Sequence, residues 1–338
     1  MMSRPERISL PAQLALAALG GLAALWLVAE AAAFHTMLNA TSWMVMAIFT
    51  LSLCLTWGIG GILCFGQGAF LGLGAYAYAI AAINFGDSGL AVLIGIAAPA
   101  LFAAALGYFL FYGRLSDVYL GVITLTVTLI LFKFMNATGG DGWRIGAVRL
   151  GGFNGIPATP PLHSPLSGRP LSPQAMFWLT GCLLILSYIL VRLFAISNRG
   201  REVIAVRENE MRAELLGYNS RALKLLVWVI GAALAGLAGV LFATTVFVSP
   251  TLFSLATSAQ VLIWVVVGGI GCFLGPVIAC IALQMLTAWL GKAGVIDPNI
   301  ALGTLLILMV LMLPNGIQPL ITRLLARRAP AAAKEAAQ

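Results

Sequence analysis

The sequence predicts an all-α protein: a polytopic transmembrane helical bundle of about ten spans, with the N- and C-termini cytoplasmic. Of the 338 residues, 61% are hydrophobic and 9% are charged, whereas soluble chains have about 45–50% apolar and about 25% charged residues. Lipid is therefore the expected solvent, and there the backbone must bond to itself in helices or closed barrels. Because the apolar runs are continuous rather than alternating, helices are favoured over barrel strands.

Apolar segments of spanning length occur ten times along the chain. A spanning helix needs about 20 apolar residues, and the candidate segments are 11–34, 43–63, 67–85, 89–112, 118–136, 175–195, 223–247, 256–271, 274–291 and 299–320. The stretch from Gly268 to Pro276 is compatible with a tight turn, a re-entrant break or a kink, so residues 256–291 are either two spans or one broken span. The first segment is expected to remain as a span, although Ala31–Ala33 also offers a signal-peptide cleavage site.

Three clusters of cations set the predicted orientation. They precede the first span, surround the loop after the sixth and follow the last: Arg4, Arg7, Arg192, Arg199, Arg201, Arg207, Arg212, Arg221, Lys224, Arg323, Arg327, Arg328 and Lys334. With ten spans, all three clusters lie on one side, which the positive-inside rule makes cytoplasmic. The net charge of +8 is then explained by the excess of Lys and Arg on the cytoplasmic side and does not indicate nucleic-acid binding. The expected order is a cytoplasmic N-terminus (1–10), a transmembrane domain (11–322) with a periplasmic loop (137–174) and a cytoplasmic loop (196–222), and a disordered cytoplasmic tail (323–338).

Catalytic and metal-binding patterns are missing from the sequence. It has no GxxxxGK[ST] phosphate loop, no HExxH and no GxSxG, and none of its five cysteines forms a CxxC pair. Ionisable residues are scarce within the spans, where a proton-coupled carrier would need them. We therefore expect a chain that is not an enzyme, holds no metal or cofactor, and draws its energy from a partner. Sodium coupling through carbonyl and hydroxyl groups stays open.

Glycine is unusually dense between Trp57 and Tyr76. Small residues one helical turn apart let helices approach closely, and glycine also permits irregular backbone beside a cavity. Helix packing and the lining of a transport pathway are therefore equally favoured roles. The candidate residues are Gly66, Gln67, Gly68, Gly72 and Gly74, together with Thr124 of the fifth span.

The most charged segment, residues 201–217, is predicted to form one short amphipathic helix. Its apolar residues recur at the helical spacing of three to four: Val203, Val206, Met211 and Leu215. Gly217 suits a left-handed cap at the C-terminus of that helix. Such a helix either docks on a partner protein or is a solvated or lipid-lying connector, and the residues alone leave both alternatives open.

Several ordered motifs resemble permease subunits of branched-chain amino-acid ABC importers, the LivM-like family. Leu63–Tyr76 is similar to the family's LSLGHAAFFGIGAY block, with Gln67 where the family often has His, and Gly200–Val227 follows its GRALRAIRENEIAAEALGIN…KLLAF pattern. The resemblance runs from about residue 45 to 315 and includes Val118–Leu125, Thr138–Gly140, Gly151–Ile156, Ala233–Gly239, Phe247–Pro250 and Val267–Pro276.

The resemblance implies a transmembrane permease subunit of an ATP-driven importer that works by alternating access in the bacterial inner membrane. Its partners would be two ATP-binding subunits that carry the ATP and Mg²⁺, a second permease subunit of the LivH-like type and a periplasmic solute-binding protein. The segment 200–217 would be a coupling helix seated on an ATPase, with Arg207, Glu208, Glu210, Arg212, Glu214 and Gly217 as coupling residues. Urea or short amides are alternative substrates, and a passive small-solute channel is the alternative of another class.

Overall fold

The computed structural model describes residues 10–31, 33–140, 142–157, 159–163, 168–293 and 303–304. In this part of the chain all regular structure except one short β-hairpin is helical, which confirms the predicted all-α class. In chain order the elements are α1 (Leu10–Ala31), α2 (Phe34–Leu53) with a π-helical turn (Cys54–Ile59), α3 (Gln67–Phe85), α4 (Ser88–Tyr112), α5 (Asp117–Ala137), β1 (Arg144–Ile145), β2 (Val148–Arg149), a 3-10 turn (Gly152–Asn154), α6 (Pro173–Ile196), α7 (Asn198–Glu208), α8 (Glu210–Leu215), α9 (Ser220–Thr245), a 3-10 turn (Pro250–Phe253), α10 (Leu255–Gly268) and α11 (Leu274–Ala293).

Seven helices in the described part of the chain are long and apolar enough to cross a membrane: α2 with its π-helical turn, α3, α4, α5, α6, α9 and α11. Two shorter apolar helical stretches, Ala17–Glu30 and Leu255–Gly268, belong to α1 and α10. Apart from residues 303–304, the predicted tenth span (299–320) lies outside the described residues, as do residues 1–9 and the predicted tail (323–338). The count of about ten spans and the side of each terminus therefore stay predictions.

The second helix starts earlier than the sequence predicted, at Phe34 rather than at residue 43. The added stretch is partly polar, but its hydroxyl groups are satisfied within the helix. Thr41 Oγ1 donates to the Met37 carbonyl at 2.9 Å, and Ser42 Oγ donates to the Leu38 carbonyl at 3.4 Å. Because such side chains can bond to the preceding turn, a short polar run does not end a helix.

Three helices form the centre of the bundle. The apolar windows of α2, α3 and α9 are 78%, 67% and 61% buried, whereas those of α4, α5 and α6 are each 22% buried and that of α11 is 28%. Small residues allow the central contact: a Cβ atom on Gly239 would lie 2.2 Å from the Leu71 carbonyl oxygen, so α3 and α9 touch backbone to backbone. Close approach at glycine is the usual means by which helices associate in lipid.

One end of the bundle carries the β-hairpin and is called the hairpin end; the other carries α7 and α8 and is called the α7 end. At the hairpin end, the predicted loop 137–174 is fixed to the helices by hydrogen bonds. Asn84 at the end of α3 accepts from Ala147 N at 2.8 Å and donates to the Ile145 carbonyl at 3.0 Å, and Tyr78 Oη donates to the Pro160 carbonyl at 3.1 Å. The described parts of this loop therefore cover the end of α3.

Residues 255–293 form two helices rather than one kinked helix. The turn between α10 and α11 contains Gly269 and Gly271 at φ values of 106° and 89°, a region that favours glycine. With 14 residues, α10 is about 21 Å long, whereas the hydrocarbon core of a bilayer is about 30 Å thick. Of the alternatives that the sequence left open, the structure has the tight turn, but α10 is too short to span a bilayer alone.

Candidate functional site

The feature that distinguishes this bundle is a break between α2 and α3, residues 60–66, here called the glycine break. The chain leaves the π-helical turn at the α7 end and returns into the bundle without regular structure, and Cys64 within it is fully buried. Gln67, the first residue of α3, donates from Nε2 to Ser52 Oγ at 2.8 Å. Ser52 lies about 10 Å of helix before Ile59, the last residue of the π-helical turn. The third helix therefore starts inside the bundle, where irregular backbone is tolerated because protein encloses it.

The predicted glycines of this region lie at close contacts between elements. A Cβ atom on Gly66 would lie 2.4 Å from the Thr124 carbonyl oxygen of α5, and one on Gly68 would lie 2.8 Å from Ser258 Oγ of α10. Thr124 itself is 2% exposed and donates from Oγ1 to the Gly121 carbonyl at 2.9 Å.

Further along α3, the next two predicted glycines make equally close contacts. A Cβ atom on Gly72 would lie 2.6 Å from the Phe253 ring, and one on Gly74 would lie 2.6 Å from the Gly236 backbone of α9. The structure thus brings the glycine break and α3 against α5, α9, α10 and the second 3-10 turn. A part in lining a transport pathway stays a prediction.

Gln67 is a polar residue enclosed by the apolar bundle. It has no exposed surface, and its Oε1 atom has no hydrogen-bond partner in the described part of the chain. The start of α3 is therefore a polar position within the apolar bundle, at the residue where the sequence departs from the family pattern.

The charged segment forms two helices instead of the single helix that the sequence predicted. α7 ends at Glu208, Asn209 is extended with φ −159° and ψ 98°, and α8 starts at Glu210. Asn209 Oδ1 accepts from the Arg212 N–H at 2.9 Å, because an asparagine side chain caps a new helix better than it continues an old one. The expected left-handed cap is present at Gly217, with φ 89°.

The break at Asn209 also divides the predicted apolar face. Val203 and Val206 of α7 are 1% and 2% exposed and pack into the main core. Beyond Asn209, Ala213 is buried, but the large apolar side chains are exposed: Met211, Leu215 and Leu216 are 76%, 84% and 73% exposed. We call these three residues the α8 patch. The prediction of one continuous apolar face was wrong, and it missed Leu216.

The predicted coupling residues divide into two groups. Three of them bond within the chain: Arg207 donates to the Gly58 carbonyl, Glu210 accepts from Lys224 Nζ at 2.7 Å, and Glu214 accepts from Ser220 Oγ at 2.5 Å. The side chain of Glu208 is 70% exposed, although its Oε1 lies 4.0 Å from Arg207 Nη2, and Arg212 is exposed as well. Their predicted contacts with an ATPase stay predictions, but Arg207, Glu210 and Glu214 already have structural partners.

The Gly58 carbonyl needs an outside partner because of how α2 ends. In a continuous α-helix it would accept from the N–H four residues on, but the Ile62 N–H donates to the Thr56 carbonyl at 3.0 Å instead. Terminal carbonyls of this kind require a side chain or other donor, and a cation is favoured at a helix C-terminus. Arg207 of α7 supplies both the donor and the charge.

The ion pair between Glu210 and Lys224 predicts a pH dependence for α8. Burial raises the pKa of Glu210, but the hydrogen bond and charge of Lys224, with smaller effects of Ser220 and Arg114, outweigh it and hold this pKa below its ordinary value of 4.5. A lowered carboxyl pKa stabilises the folded state above the ordinary pKa, and this stabilisation is lost as pH falls through the lowered value. The side chains are 44% and 20% exposed, so the pair contributes about 1 kcal/mol at most.

We therefore expect hydrogen-exchange protection of residues 209–217, corrected for intrinsic rates, to fall about fivefold on acidification from neutral pH to below the lowered pKa. Lys224→Met should already show the low protection at neutral pH and little further pH response, whereas Arg201→Met on the exposed side of α7 should behave like the wild type. An unchanged pH profile in Lys224→Met would contradict the assignment.

In the part of the chain that the structure describes, no cluster of three or more His, Cys, Asp or Glu side chains is arranged to hold a metal ion. The arrangement defines a class of protein: a multi-pass helical membrane protein whose second helix ends in a π-helical turn that is bonded to a charged helix at one end. The chain matches the family model "Branched-chain amino acid transport system / permease component" over residues 36–313. It belongs to this family of permeases of branched-chain amino-acid ABC transporters, which confirms the family that the motifs predicted.

Individual relatives agree with the family assignment. The chain is 32% identical over 305 residues to the high-affinity branched-chain amino acid transport system permease protein LivM of Escherichia coli (strain K12), covering 83% of this chain and 69% of the relative. It is 30% identical over 302 residues to LivM of Salmonella typhimurium, with the same coverage. A shorter similarity, 32% over 148 residues, links it to the permease protein LivH of Escherichia coli (strain K12), covering 43% of this chain and 46% of that protein. No solved structure matches significantly. The relatives are transporter subunits, which places this chain in that class rather than among enzymes.

Proposed function

We propose that this chain is a transmembrane subunit of an ATP-driven importer that moves branched-chain amino acids, or related small polar solutes, across the bacterial inner membrane by alternating access. ATP and Mg²⁺ are bound and hydrolysed on two separate ATP-binding subunits. A second permease subunit completes the membrane part, and a periplasmic binding protein delivers the solute. The family assignment and the similarity to two LivM permeases of high-affinity branched-chain amino acid transport systems support this proposal.

The observation that carries the proposal is the α8 patch. Three large apolar side chains, two in α8 and one in the residue that caps its C-terminus, are 73% to 84% exposed at the α7 end, next to the charged residues of α7 and α8. Contiguous exposed apolar side chains with a polar rim indicate a contact with another protein, and Glu208 and Arg212 supply such a rim. We assign this surface to an ATP-binding subunit, which makes the α7 end cytoplasmic and the hairpin end periplasmic.

The cations near α7 support the same orientation. Arg199, Arg201, Arg207, Arg212, Arg221 and Lys224 lie within or beside α7, α8 and the start of α9. Cytoplasmic loops carry such an excess of Arg and Lys. The α7 end is thus the end where a cytoplasmic ATPase can reach the α8 patch.

Reconstitution tests this function. The chain is tagged at the hairpin end, purified with the subunits that accompany it, and placed in proteoliposomes with ATP enclosed on the α7 side and the candidate binding protein outside. We expect an ATP-binding subunit and a second permease to co-purify, and uptake of radiolabelled leucine to require both ATP and the binding protein. Uptake of solute without ATP would instead establish a passive channel, and uptake of urea or acetamide in preference to leucine would change the substrate class.

A further inference from the structure

We propose that Arg207 is the positioning residue through which movement of α7 and α8 reaches the membrane-embedded helices, and that the segment it moves is the glycine break. This inference rests on the proposed function, since it requires an ATPase that moves α8. It differs from the prediction that Arg207 contacts the ATPase directly. The guanidinium instead bonds within the chain: Nη1 donates to the Gly58 carbonyl, and Nη2 lies 4.0 Å from Oε1 of the exposed Glu208.

The geometry around Arg207 fixes its stem as well as its charge. Gly61 has φ 70°, and a Cβ atom there would lie 2.8 Å from Arg207 Cγ. A glycine at this position therefore serves two needs, since it adopts the left-handed backbone without strain and leaves room for the arginine stem. The side chain of Arg207 remains 36% exposed, so it connects the surface helix to the first residues of the glycine break.

A third element meets at the same point. A Cβ atom on Gly58 would lie 3.1 Å from the backbone nitrogen of Gly271, in the turn between α10 and α11. The carbonyl that Arg207 holds therefore belongs to a residue packed against that turn. Gly58 thus links α7, through its bond with Arg207, to the end of α2 and the α10–α11 turn.

The two sides of this junction differ in how their backbones are held. α7 packs into the core through Val203 and Val206, and it continues into α8 through the single extended residue Asn209. On the membrane side, the π-helical turn and the glycine break are not held by a regular α-helical hydrogen-bond ladder. π-Helical segments are frequent at functional sites, and a segment without a continuous ladder is the one that a displaced Arg207 moves first.

Movement of the glycine break acts on α3, which follows it directly, and through close contacts on α5 and α10. At its far end Gly66 touches α5 through Thr124 and Thr128. The next turn touches α10, where the Gly68 N–H donates to Ser258 Oγ at 3.3 Å. A shift of the break therefore displaces the start of α3 relative to α5 and α10, which is the kind of rearrangement that opens one side of a bundle and closes the other.

The test uses the complete reconstituted complex, with Arg207→Met as the main variant because methionine keeps an apolar stem beside Gly61 but has no donor. Arg201→Met, on the same helix, is the matched control. We expect Arg207→Met to assemble and hydrolyse ATP at the basal rate while solute uptake per ATP falls about tenfold or more. Arg207→Lys, which restores a donor and a charge, should recover most of the coupling, and Arg201→Met should couple like the wild type.

A second readout follows the glycine break itself. In a chain whose other four cysteines are replaced, the fully buried Cys64 reports on opening through its rate of reaction with a membrane-permeant maleimide. This rate should change between the ATP-free and the vanadate-trapped complex in the wild-type and Arg201→Met backgrounds, and the change should be lost in Arg207→Met.

Two results would overturn the assignment of Arg207. One is normal uptake per ATP together with an unaltered Cys64 response in Arg207→Met. The other is loss of assembly in both Arg207→Met and Arg207→Lys, which would make Arg207 a folding residue. Failure of the proposed function is distinct from both, because the wild-type complex would then show no ATP-driven uptake at all.

Discussion

Replacement of Gly74 by leucine is expected to prevent stable folding of the bundle. A Cβ atom at this position would lie 2.6 Å from both the Cα and the carbonyl oxygen of Gly236, so the larger side chain meets backbone that no rotamer change can remove. Overpacking of a well-packed interior costs typically about 1–3 kcal/mol, and a clash between two central helices should exceed that range. We expect loss of the monodisperse peak of a fluorescent fusion on size-exclusion chromatography, or a large fall in its thermal midpoint.

Gly20 provides the matched control for this substitution. It also lies within a helix, but among the described residues a Cβ atom there would have no heavy atom within 4 Å apart from the nearby backbone of its own helix. Gly20→Leu should therefore retain the peak and the midpoint of the wild type, and Gly74→Ala should lie between the two. A Gly74→Leu protein that is as monodisperse and as heat-stable as Gly20→Leu would contradict the packing that we describe for α3 and α9.

The sequence was sufficient for the parts of the fold that depend on local composition. Continuous apolar runs predicted the long helices α3, α4, α5, α6 and α9 within a few residues of their observed ends, because burial in lipid depends mainly on length and hydrophobicity. The dense glycines likewise marked a region where elements touch closely. Composition could not predict how deep in the bundle each helix starts. The start of α3 lies beside Ser52 of α2, and this placement depends on a hydrogen bond between two separate helices.

The charged segment shows where periodicity misled and where a signal was available. Apolar residues at helical spacing on both sides of Asn209 suggested one helix, since periodicity alone does not register a single extended residue. Asparagine followed by charged residues is also the pattern of a helix N-cap, and it marks the start of α8. The bond from Arg207 to Gly58 had no such signal, because it joins residues 149 positions apart.

Simultaneous replacement of Met211 and Leu215 by serine is expected to abolish ATP-driven uptake by removing the α8 patch. Both side chains are more than three-quarters exposed, at 76% and 84%, so the free chain loses little on their removal. In a docked complex, full burial of a Met or Leu side chain contributes about 1.5–3 kcal/mol. Loss of two such side chains corresponds to at least about a hundredfold weaker association with the ATP-binding subunit, measured by surface plasmon resonance on nanodisc-embedded protein.

The control is Phe153→Ser. Phe153 is also a large apolar residue with a side chain that is 78% exposed, but it lies at the hairpin end, on the opposite side of the bundle from α8. It should leave association with the ATPase unchanged. Two further measurements separate the apolar contribution to binding from the electrostatic one: neutralisation of Glu208 and Arg212, and binding at raised salt. Salt weakens a contact that is dominated by charge, whereas it does not weaken one that is dominated by the α8 patch. If Met211→Ser/Leu215→Ser binds the ATPase as tightly as Phe153→Ser does, the partner docks elsewhere, and the exposed side chains of α8 face the lipid surface instead.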